Sequence, residues 1–282
     1  GRTKDNRQVL DTIHPVFASC SEHIKDKVKM DLKGKKALVV GLRRTGVATA
    51  RFLAKSGARV VVTDVAKPEE FTKEVKALEG LNITFELGEH KQGSFVSSDL
   101  IVLSPGVPLT IKPIQEAMRK GVEVISEIEL ASRFIKLPII AVTGTNGKTT
   151  TTALLGKMLE RWGASVFVGG NIGNPLIDLV MNEGETELVV AEISSFQLEA
   201  ITSFKPRLAL LLNVSQDHLD RYPSMQEYIA AKGRIFENQD HDDLAVLNAD
   251  DPIVSQISEG IKARRILFSI KKKPDAQDKA WL

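Results

Sequence analysis

The sequence predicts an α/β protein made of two nucleotide-binding-like units in succession. From Lys36 onward, short apolar runs alternate with amphipathic segments, which is the pattern of parallel strands joined by helices. A glycine-containing turn follows the first predicted strand of each unit, where nucleotide-binding folds hold phosphate groups. The 282 residues have room for two compact domains and a short extension.

The first unit is predicted to span residues 30–137 as a Rossmann-like domain. Its apolar runs predict strands at 37–40, 60–63, 100–103 and 122–125. The segments between them predict helices at 46–56, 67–79 and 111–119, and Gly57 and Gly121 stand where helices usually end. Residues 1–29 are polar and lack the apolar core of a secretion signal, so we expect an extension outside the fold, with Met30 as the native start.

Pro138 opens the second unit, predicted to span residues 138–282. A strand at 139–143 runs into a glycine loop and a helix at about 148–162. Further apolar runs at 165–168, 188–193, 208–214, 244–247 and 265–268, and a helical segment at 225–236, predict a doubly wound sheet. The sequence ends at Leu282 where a turn leads towards what reads as another strand, so we expect this domain to be incomplete.

Composition narrows the classes of function. The 43% hydrophobic and 26% charged residues are typical of a globular protein with a sizeable core. The 38 basic against 36 acidic residues give no general electrostatic reason to expect nucleic acid or a membrane surface as partner. Cys20 is the single cysteine, and no apolar run approaches the roughly 18 residues of a membrane span. We therefore expect a cytoplasmic protein, while its oligomeric state is not predicted.

The loop at residues 143–150 predicts a phosphate site. In a strand, loop and helix arrangement, backbone N–H groups wrap a phosphate and the helix N-terminus faces its charge. Lys148 is expected to neutralise the outer phosphates and the Thr149 hydroxyl to bind magnesium. The general phosphate-loop pattern has glycine at position 142, where this sequence has Val142. The alternative to a phosphate site is an ordinary glycine turn with a solvated lysine. The predicted ATP-binding residues are Gly144, Thr145, Asn146, Gly147, Lys148, Thr149 and Thr150.

The turn at residues 41–46 is a weaker signal. It follows a strand, precedes a helix, and has an acid, Asp64, about twenty residues further on, as dinucleotide-binding turns do. Arg43, however, replaces the middle glycine of that pattern. By itself the turn is as compatible with a plain strand-to-helix connection as with a diphosphate site.

Three polar residues lie in segments that otherwise read as strand ends or helix faces. Glu192 ends an apolar strand, where α/β sheets place ligand chemistry, so metal binding is expected ahead of a role as a cap for residues 194–198. His218 follows the next apolar strand and reaches the same sheet edge, although a lone histidine is usually an ordinary polar residue. Lys232, in a helical segment, reads by itself as a solvated lysine.

Together these stretches resemble the Mur ligase family. The resemblance runs from about Met30 to the end and includes five ordered segments, at 143–150, 170–173, 192–198, 213–222 and 230–236. The run Ser-Ser-Phe-Gln-Leu at 194–198 resembles the members that add D-glutamate. The resemblance implies a peptidoglycan-precursor ligase in which ATP phosphorylates the carboxylate of UDP-N-acetylmuramoyl-L-alanine, and the amine of D-glutamate then attacks the acyl phosphate.

The resemblance also implies roles for the polar residues. Thr149 and Glu192 hold one magnesium ion and His218 a second, while Lys148 stabilises charge on the transferred phosphate. The lysine that matches Lys232 is carbamylated in the family, which turns a cation into a metal ligand and requires a lowered lysine pKa. The catalytic set is then Lys148, Glu192, His218 and Lys232.

The first domain is implied to hold the UDP end of the substrate. Arg44 and Thr45 match the diphosphate-binding turn, Asp64 matches a uracil-binding acid, and Ser104 lies in the turn beside it. Asn171, Ser194 and Gln197 match family residues that contact the substrate near its reacting carboxylate. Family members have a third, Rossmann-like domain that binds the incoming amino acid. The sequence ends before it, so we expect substrate binding without turnover.

Two alternatives stay open. The chain resembles other amino acid-adding Mur ligases, and the domain that reads the amino acid lies outside the sequence. A P-loop NTPase switch or nucleotide-binding module is the alternative from another class. A switch has no need of a carbamylated lysine or a UDP-binding turn, so Lys232 and the first domain distinguish the two.

Overall fold

The computed structural model describes residues 30–182, 184–217 and 221–271. A five-stranded parallel sheet of order β3-β2-β1-β4-β5 occupies the first half of the described chain. Its strands are β1 (Lys36–Val40), β2 (Arg59–Asp64), β3 (Ile83–Leu87), β4 (Leu100–Leu103) and β5 (Glu123–Ser126). The helices of this half are α1 (Arg44–Lys55), α2 (Thr72–Lys76), α3 (Gln92–Val96), α4 (Lys112–Arg119) and α5 (Glu127–Ser132), with a 3-10 turn at Pro68–Phe71.

The second half forms a six-stranded parallel sheet of order β11-β10-β9-β6-β8-β7. Its strands are β6 (Ile139–Thr143), β7 (Val166–Gly170), β8 (Leu188–Glu192), β9 (Leu208–Leu211), β10 (Leu244–Asn248) and β11 (Arg264–Phe268). Its helices are α6 (Lys148–Arg161), α7 (Leu176–Met181), α8 (Ser195–Leu198), α9 (Met225–Gly233) and α10 (Pro252–Ser258), with a 3-10 turn at Arg234–Phe236. None of the helices in the described ranges is long and apolar enough to cross a membrane.

The central strands are continuous apolar runs because helices cover both faces of each sheet. Every residue of β4, β6 and β8 is buried. In each sheet the chain builds strands first on one side of the opening strand, β1 or β6, and later on its other side. A crevice therefore opens beyond the carboxyl end of β1 and of β6. The predicted phosphate loop and the 41–46 turn lie at these two crevices.

The two halves are joined by a buried contact between α5 and the segment that follows α8. The carboxylate of Glu129, which is fully buried, accepts backbone N–H bonds from Thr202, Ser203 and Phe204 at 3.0, 3.0 and 2.7 Å. The Arg133 guanidinium donates to the same carboxylate at 2.9 Å. A single carboxylate of the first half therefore binds three consecutive amides of the second.

The predicted class, an α/β protein with two successive doubly wound parallel sheets, is confirmed. Three details differ. Strand β3 was not predicted, because it is an edge strand whose residues remain partly or fully exposed. The helix expected at 67–79 is a 3-10 turn followed by the five-residue α2, since Pro68 begins the segment. The short helices α3, α5, α7 and α10 were also missed, because a helix of one or two turns has almost no periodic pattern.

Candidate functional site

The phosphate loop between β6 and α6 is fixed to the segment that follows β9. Gly147, the residue before α6, has a φ of 81°, a left-handed conformation that glycine adopts without strain. The backbone N–H of Thr145 donates to the Asn213 carbonyl at 3.0 Å, and the N–H of Asn146 donates to the Asn213 side-chain oxygen at 2.8 Å. These bonds fix the path of the loop.

Lys148 is the first residue of α6, and its ammonium group folds back over the loop. The Nζ atom donates to the carbonyl oxygens of Gly144 and Thr145 at 3.0 and 2.9 Å. The first turn of this 14-residue helix carries no acidic residue. A helix N-terminus and an ammonium group therefore face the same loop, an arrangement that attracts a phosphate.

Glu192 lies beside this loop at the end of β8, 2% exposed. Thr149 Oγ1 donates to its Oε2 at 2.7 Å, and Asn171 Nδ2 donates to its Oε1 at 2.8 Å. The cap of α8 is supplied by Ser194, whose hydroxyl accepts from the Gln197 N–H at 3.3 Å while the Gln197 side chain accepts from the Ser194 N–H at 2.9 Å. Glu192 is therefore not the cap, and its carboxylate faces the phosphate loop.

The Thr149 and Glu192 oxygens fit one magnesium ion. Adjacent ligands of an octahedral Mg²⁺, at about 2.0–2.1 Å from the ion, lie about 2.9 Å from one another. The 2.7 Å between Thr149 Oγ1 and Glu192 Oε2 is close to that spacing. Two protein oxygens beside a phosphate site match the few protein ligands that Mg²⁺ takes when phosphate oxygens complete its shell.

Lys232, in the last turn of α9, is buried at 1% exposure, contrary to the solvated lysine that its helical segment predicted. Its Nζ donates to the Gly144 carbonyl at 2.8 Å and lies 4.6 Å from the Tyr228 ring centre. Burial and then the positive charge of Lys148 lower the pKa of Lys232 to about 7, against the opposing effect of Asp217. A large share of this amine is therefore neutral near pH 7.

His218 lies outside the described residues, so its predicted role stays a prediction. Within the ranges that the structure covers, no group of three or more His, Cys, Asp or Glu side chains is arranged to hold a metal. Among the described residues, Thr149 and Glu192 are accordingly the candidates to hold a metal ion, with phosphate oxygens as its further ligands.

A second site lies in the first domain, where a cavity of about 460 Å³ opens between the turns that follow β1 and β4. A Cβ atom on Gly46 would lie 1.9 Å from the Gly41 carbonyl oxygen, so only glycine allows α1 to approach the turn this closely. The four residues that the family resemblance assigned to a UDP group all line this cavity: Arg44, Thr45, Asp64 and Ser104.

Asp64 and Ser104 also hold the cavity in shape. The Asp64 carboxylate accepts from the Leu42 N–H at 2.9 Å and from the Ala66 N–H at 3.0 Å. Ser104 Oγ donates to the Gly41 carbonyl at 3.1 Å. The two side chains therefore connect the three turns around the cavity.

His90, which sequence reasoning left without a role, lines the same cavity. Its Nδ1 lies 2.9 Å from Thr63 Oγ1, and its ring packs edge-on against Phe95 with centres 5.4 Å apart. Burial lowers the pKa of His90, although the charge of Asp64 opposes this. Sequence reasoning missed His90 because this residue follows β3, a strand that the sequence did not predict.

The side chains of the two arginines in the 41–46 turn contact different domains. The Arg43 guanidinium lies 4.8 Å from the Phe71 ring centre and 3.5 Å from the Glu70 carboxylate, on the first domain. Arg44 instead donates to the side-chain oxygen of Asn174 in the second domain at 2.5 Å. Asn174 lies three residues after Asn171, so Arg44 links the cavity to the loop that contacts Glu192.

Comparison with known proteins identifies two family domains. Residues 35–126 match the Mur ligase MurD-like N-terminal domain, and residues 142–281 match the Mur ligase middle domain. The UDP-N-acetylmuramoylalanine--D-glutamate ligase of Geotalea daltonii is 56% identical over 243 residues, which cover 86% of this chain and 54% of that protein. The enzyme of that name from Pelobacter propionicus is 56% identical over 246 residues, 87% of this chain and 55% of that protein.

The chain thus spans about half the length of the curated relatives it matches. Among solved structures, the UDP-N-acetylmuramate:L-alanyl-gamma-D-glutamyl-meso-diaminopimelate ligase from Neisseria meningitides aligns with a TM-score of 0.57 at 18% identity. The alignment covers 86% of this chain and 82% of that one. At this identity the likeness is one of fold.

Proposed function

The chain belongs to the Mur ligase family, and on that premise we propose that it binds UDP-N-acetylmuramoyl-L-alanine and ATP for the ATP-dependent addition of D-glutamate. The family is ATP- and magnesium-dependent. The relatives at 54–57% identity that carry the D-glutamate ligase name support this choice of reaction. We propose that the reaction takes place in the cytoplasm, which is the typical location of Mur ligase homologues.

The observation that carries the proposal is the Arg44 to Asn174 hydrogen bond, because it joins the two candidate sites. It connects the cavity of the first domain to the loop whose Asn171 contacts Glu192. A substrate with a nucleoside diphosphate at one end and a carboxylate at the other has to span such a pair of sites. A nucleotide switch needs only the phosphate loop.

The side chains of the second site have roles in a carboxylate-to-phosphate reaction. Both reactants are anions, so positive charge has to screen their approach, and Lys148 with the α6 N-terminus supplies it at the phosphate loop. Thr149 and Glu192 would hold a magnesium ion, which would supply Lewis-acid stabilisation of the phosphoryl oxygens. Asn171 orients the Glu192 carboxylate through its 2.8 Å bond, so that Oε2 faces Thr149.

We propose that Lys232 reacts with carbon dioxide to form a carbamate. Its neutral amine attacks the carbon of CO₂, so that a C–N bond forms and the electron pair of one C=O π bond moves to oxygen. The nitrogen then releases one proton to solvent, which leaves the carbamate anion. The lowered pKa supports this step, because only the neutral amine is a nucleophile. The product is an anionic oxygen ligand in place of a cation, beside the phosphate loop. A second magnesium ion on His218 stays a proposal from the resemblance.

In the first domain, Arg44 and Thr45 are proposed to bind the diphosphate and the Asp64 end of the cavity the uracil. Val65, exposed at 62%, offers an apolar surface at that end for a flat base. Ser194 and Gln197 bond to one another as a helix cap, and substrate contacts by these two residues stay a proposal from the resemblance.

Calorimetric titration of two ligands tests the proposal. We expect the chain to bind UDP-N-acetylmuramoyl-L-alanine and Mg·ADP at separate sites. Lys148→Met should abolish Mg·ADP binding and retain the UDP ligand, whereas Arg44→Met should do the reverse. Binding and hydrolysis of ATP with no measurable affinity for the UDP ligand would favour the NTPase switch instead. Preference for UDP-N-acetylmuramic acid without alanine would indicate another Mur ligase.

A further inference from the structure

One arginine of the second domain contacts the wall of the first-domain cavity. The Arg221 guanidinium donates to the Gly106 carbonyl oxygen at 3.2 Å and to the Val107 carbonyl oxygen at 3.1 Å. Both residues line the cavity of about 460 Å³. They precede Arg221 by 115 and 114 residues, so the contact depends on how the two domains pack.

The guanidinium is itself held on its other sides. It donates to Glu199 Oε2 at 3.0 Å and lies 4.1 Å from the Phe196 ring centre. The second oxygen of Glu199 accepts from the Tyr222 hydroxyl at 2.6 Å, which fixes the carboxylate. The Arg221 and Glu199 side chains are only 13% and 17% exposed, so the ion pair is shielded from solvent. Charge-assisted hydrogen bonds in such a setting hold a side chain in one orientation.

The contact uses a property that belongs to arginine alone. One planar guanidinium reaches two adjacent carbonyl oxygens, a carboxylate and an aromatic face at the same time. A lysine keeps the positive charge near Glu199 but lacks the fork that bonds both carbonyls. The Gly106 and Val107 carbonyls, in a turn without a strand partner of its own, then lose their anchor.

We propose that Arg221 is a positioning residue, which holds the 106–107 wall of the cavity in the shape that a nucleoside diphosphate-sugar requires. The inference rests on the proposed function in one respect, the identity of that ligand. Arg221 acts through the backbone of the wall. It is therefore a residue of the ATP-binding domain that sets the affinity of the other domain's ligand.

Arg221→Lys tests the proposal, with Arg207→Lys as the matched control. Arg207 is 12% exposed and pairs with Asp243 at 3.2 Å within the second domain. For each protein we would measure UDP affinity, Mg·ADP affinity, the thermal midpoint and amide hydrogen exchange of residues 104–111. We expect Arg221→Lys to weaken UDP binding about tenfold, as loss of an anchoring hydrogen-bond pair predicts. Mg·ADP affinity should stay unchanged, and exchange should accelerate at 104–111 alone. The control should leave both affinities and the exchange of residues 104–111 unchanged.

Glu199→Gln serves as a second variant, because it weakens the partner of Arg221 while leaving both carbonyl bonds possible. We expect a smaller loss of UDP affinity in the same direction. Unchanged UDP binding and unchanged exchange at 104–111 in Arg221→Lys would overturn the proposal. So would a parallel loss of UDP affinity, Mg·ADP affinity and thermal midpoint, since that pattern indicates a general structural role.

Failure of the proposed function gives a different result. The unsubstituted protein would then not bind UDP, although hydrogen exchange still reports on the wall. Faster exchange confined to 104–111 in Arg221→Lys would support the anchoring role in that case too, and unchanged exchange would refute it.

Discussion

Lys232 is expected to be carbamylated selectively near neutral pH, and the size of the effect follows from its surroundings. Burial and the Lys148 charge lower its pKa to about 7. At pH 7 about half of the Lys232 amines are then neutral, against roughly one in 2,500 for a lysine with an ordinary pKa of about 10.4. Because only the neutral amine attacks CO₂, Lys232 gains a factor on the order of a thousand over solvated lysines.

The assay is ¹³C NMR with ¹³CO₂ at constant partial pressure over a range of pH. We expect one carbamate signal per chain that grows through pH 7 and is absent from Lys232→Arg. Lys148→Met removes the positive charge that lowers the Lys232 pKa, so its midpoint should move to higher pH. Lys205 is an internal comparison: partial burial alone would lower its pKa, but hydrogen bonds to Asp240 and Asp243 raise it. A carbamate that forms equally on several lysines, or none at pH 7 to 8, would refute this reasoning.

Three further substitutions give measurable outcomes. Burial alone would raise the Glu129 pKa, but hydrogen bonds from Ser203, Thr202 and Arg133 lower it to about 2. Glu129→Gln should therefore cost about 3 kcal/mol of unfolding free energy in urea titrations at pH 7, and the difference should vanish as pH falls from about 4.5 to 2. Burial raises the Glu127 pKa to about 7, despite an N–H bond from Ile177. The protein should then lose stability as pH rises from about 4.5 to 7, and Glu127→Gln should remove that loss, worth about 3 kcal/mol above pH 7. Glu192→Gln should weaken ADP binding in the presence of Mg²⁺ but not in its absence, as measured by calorimetry.

The stability predictions for Glu127 and Glu129, the two glutamates of α5, test each other. The two glutamates lie two residues apart on one helix, yet the predicted pH dependences have opposite signs. Glu129 accepts a set of N–H and O–H bonds, whereas one carboxylate oxygen of Glu127 has no hydrogen-bond partner among the residues that the structure describes. The same sign of pH dependence for both substitutions would contradict the assignment of charged Glu129 and neutral Glu127. Equal loss of ADP affinity by Glu192→Gln with and without Mg²⁺ would contradict the metal assignment.

The phosphate loop and the sheet edge around it could be predicted from sequence. Strand, loop and helix signals agree over residues 139–161, and Glu192 breaks an apolar run at a strand end, where a buried carboxylate needs a partner. Local patterns of this kind carry the information because the carboxyl ends of parallel strands share one edge. The pairing of Glu192 with Thr149 is therefore a consequence of topology.

Lys232 and His90 could not be predicted from local pattern. Lys232 lies on a helix whose sequence does not distinguish a buried from a solvated lysine, and its burial depends on Tyr228 and the phosphate loop. The resemblance, and not the pattern, pointed to it. His90 follows an edge strand with little alternation, and Asn174 meets Arg44 only because the domains pack together. Contacts between distant segments leave no signal in a single sequence.

The charges around Gly144 link carbamylation to metal and nucleotide binding. The ammonium groups of Lys148 and Lys232 both donate to the carbonyl oxygen of Gly144, so two cations compete for one acceptor. Conversion of Lys232 to the proposed carbamate would replace that repulsion with attraction and would add an anionic oxygen beside the phosphate loop. A second anionic group, in addition to Glu192, favours Mg²⁺ but disfavours a bare phosphate. We therefore expect CO₂ to strengthen ADP binding when Mg²⁺ is present and to weaken it when Mg²⁺ is chelated. The sign reversal is the test, because a carbamate without contact to the metal site would give the same response in both conditions.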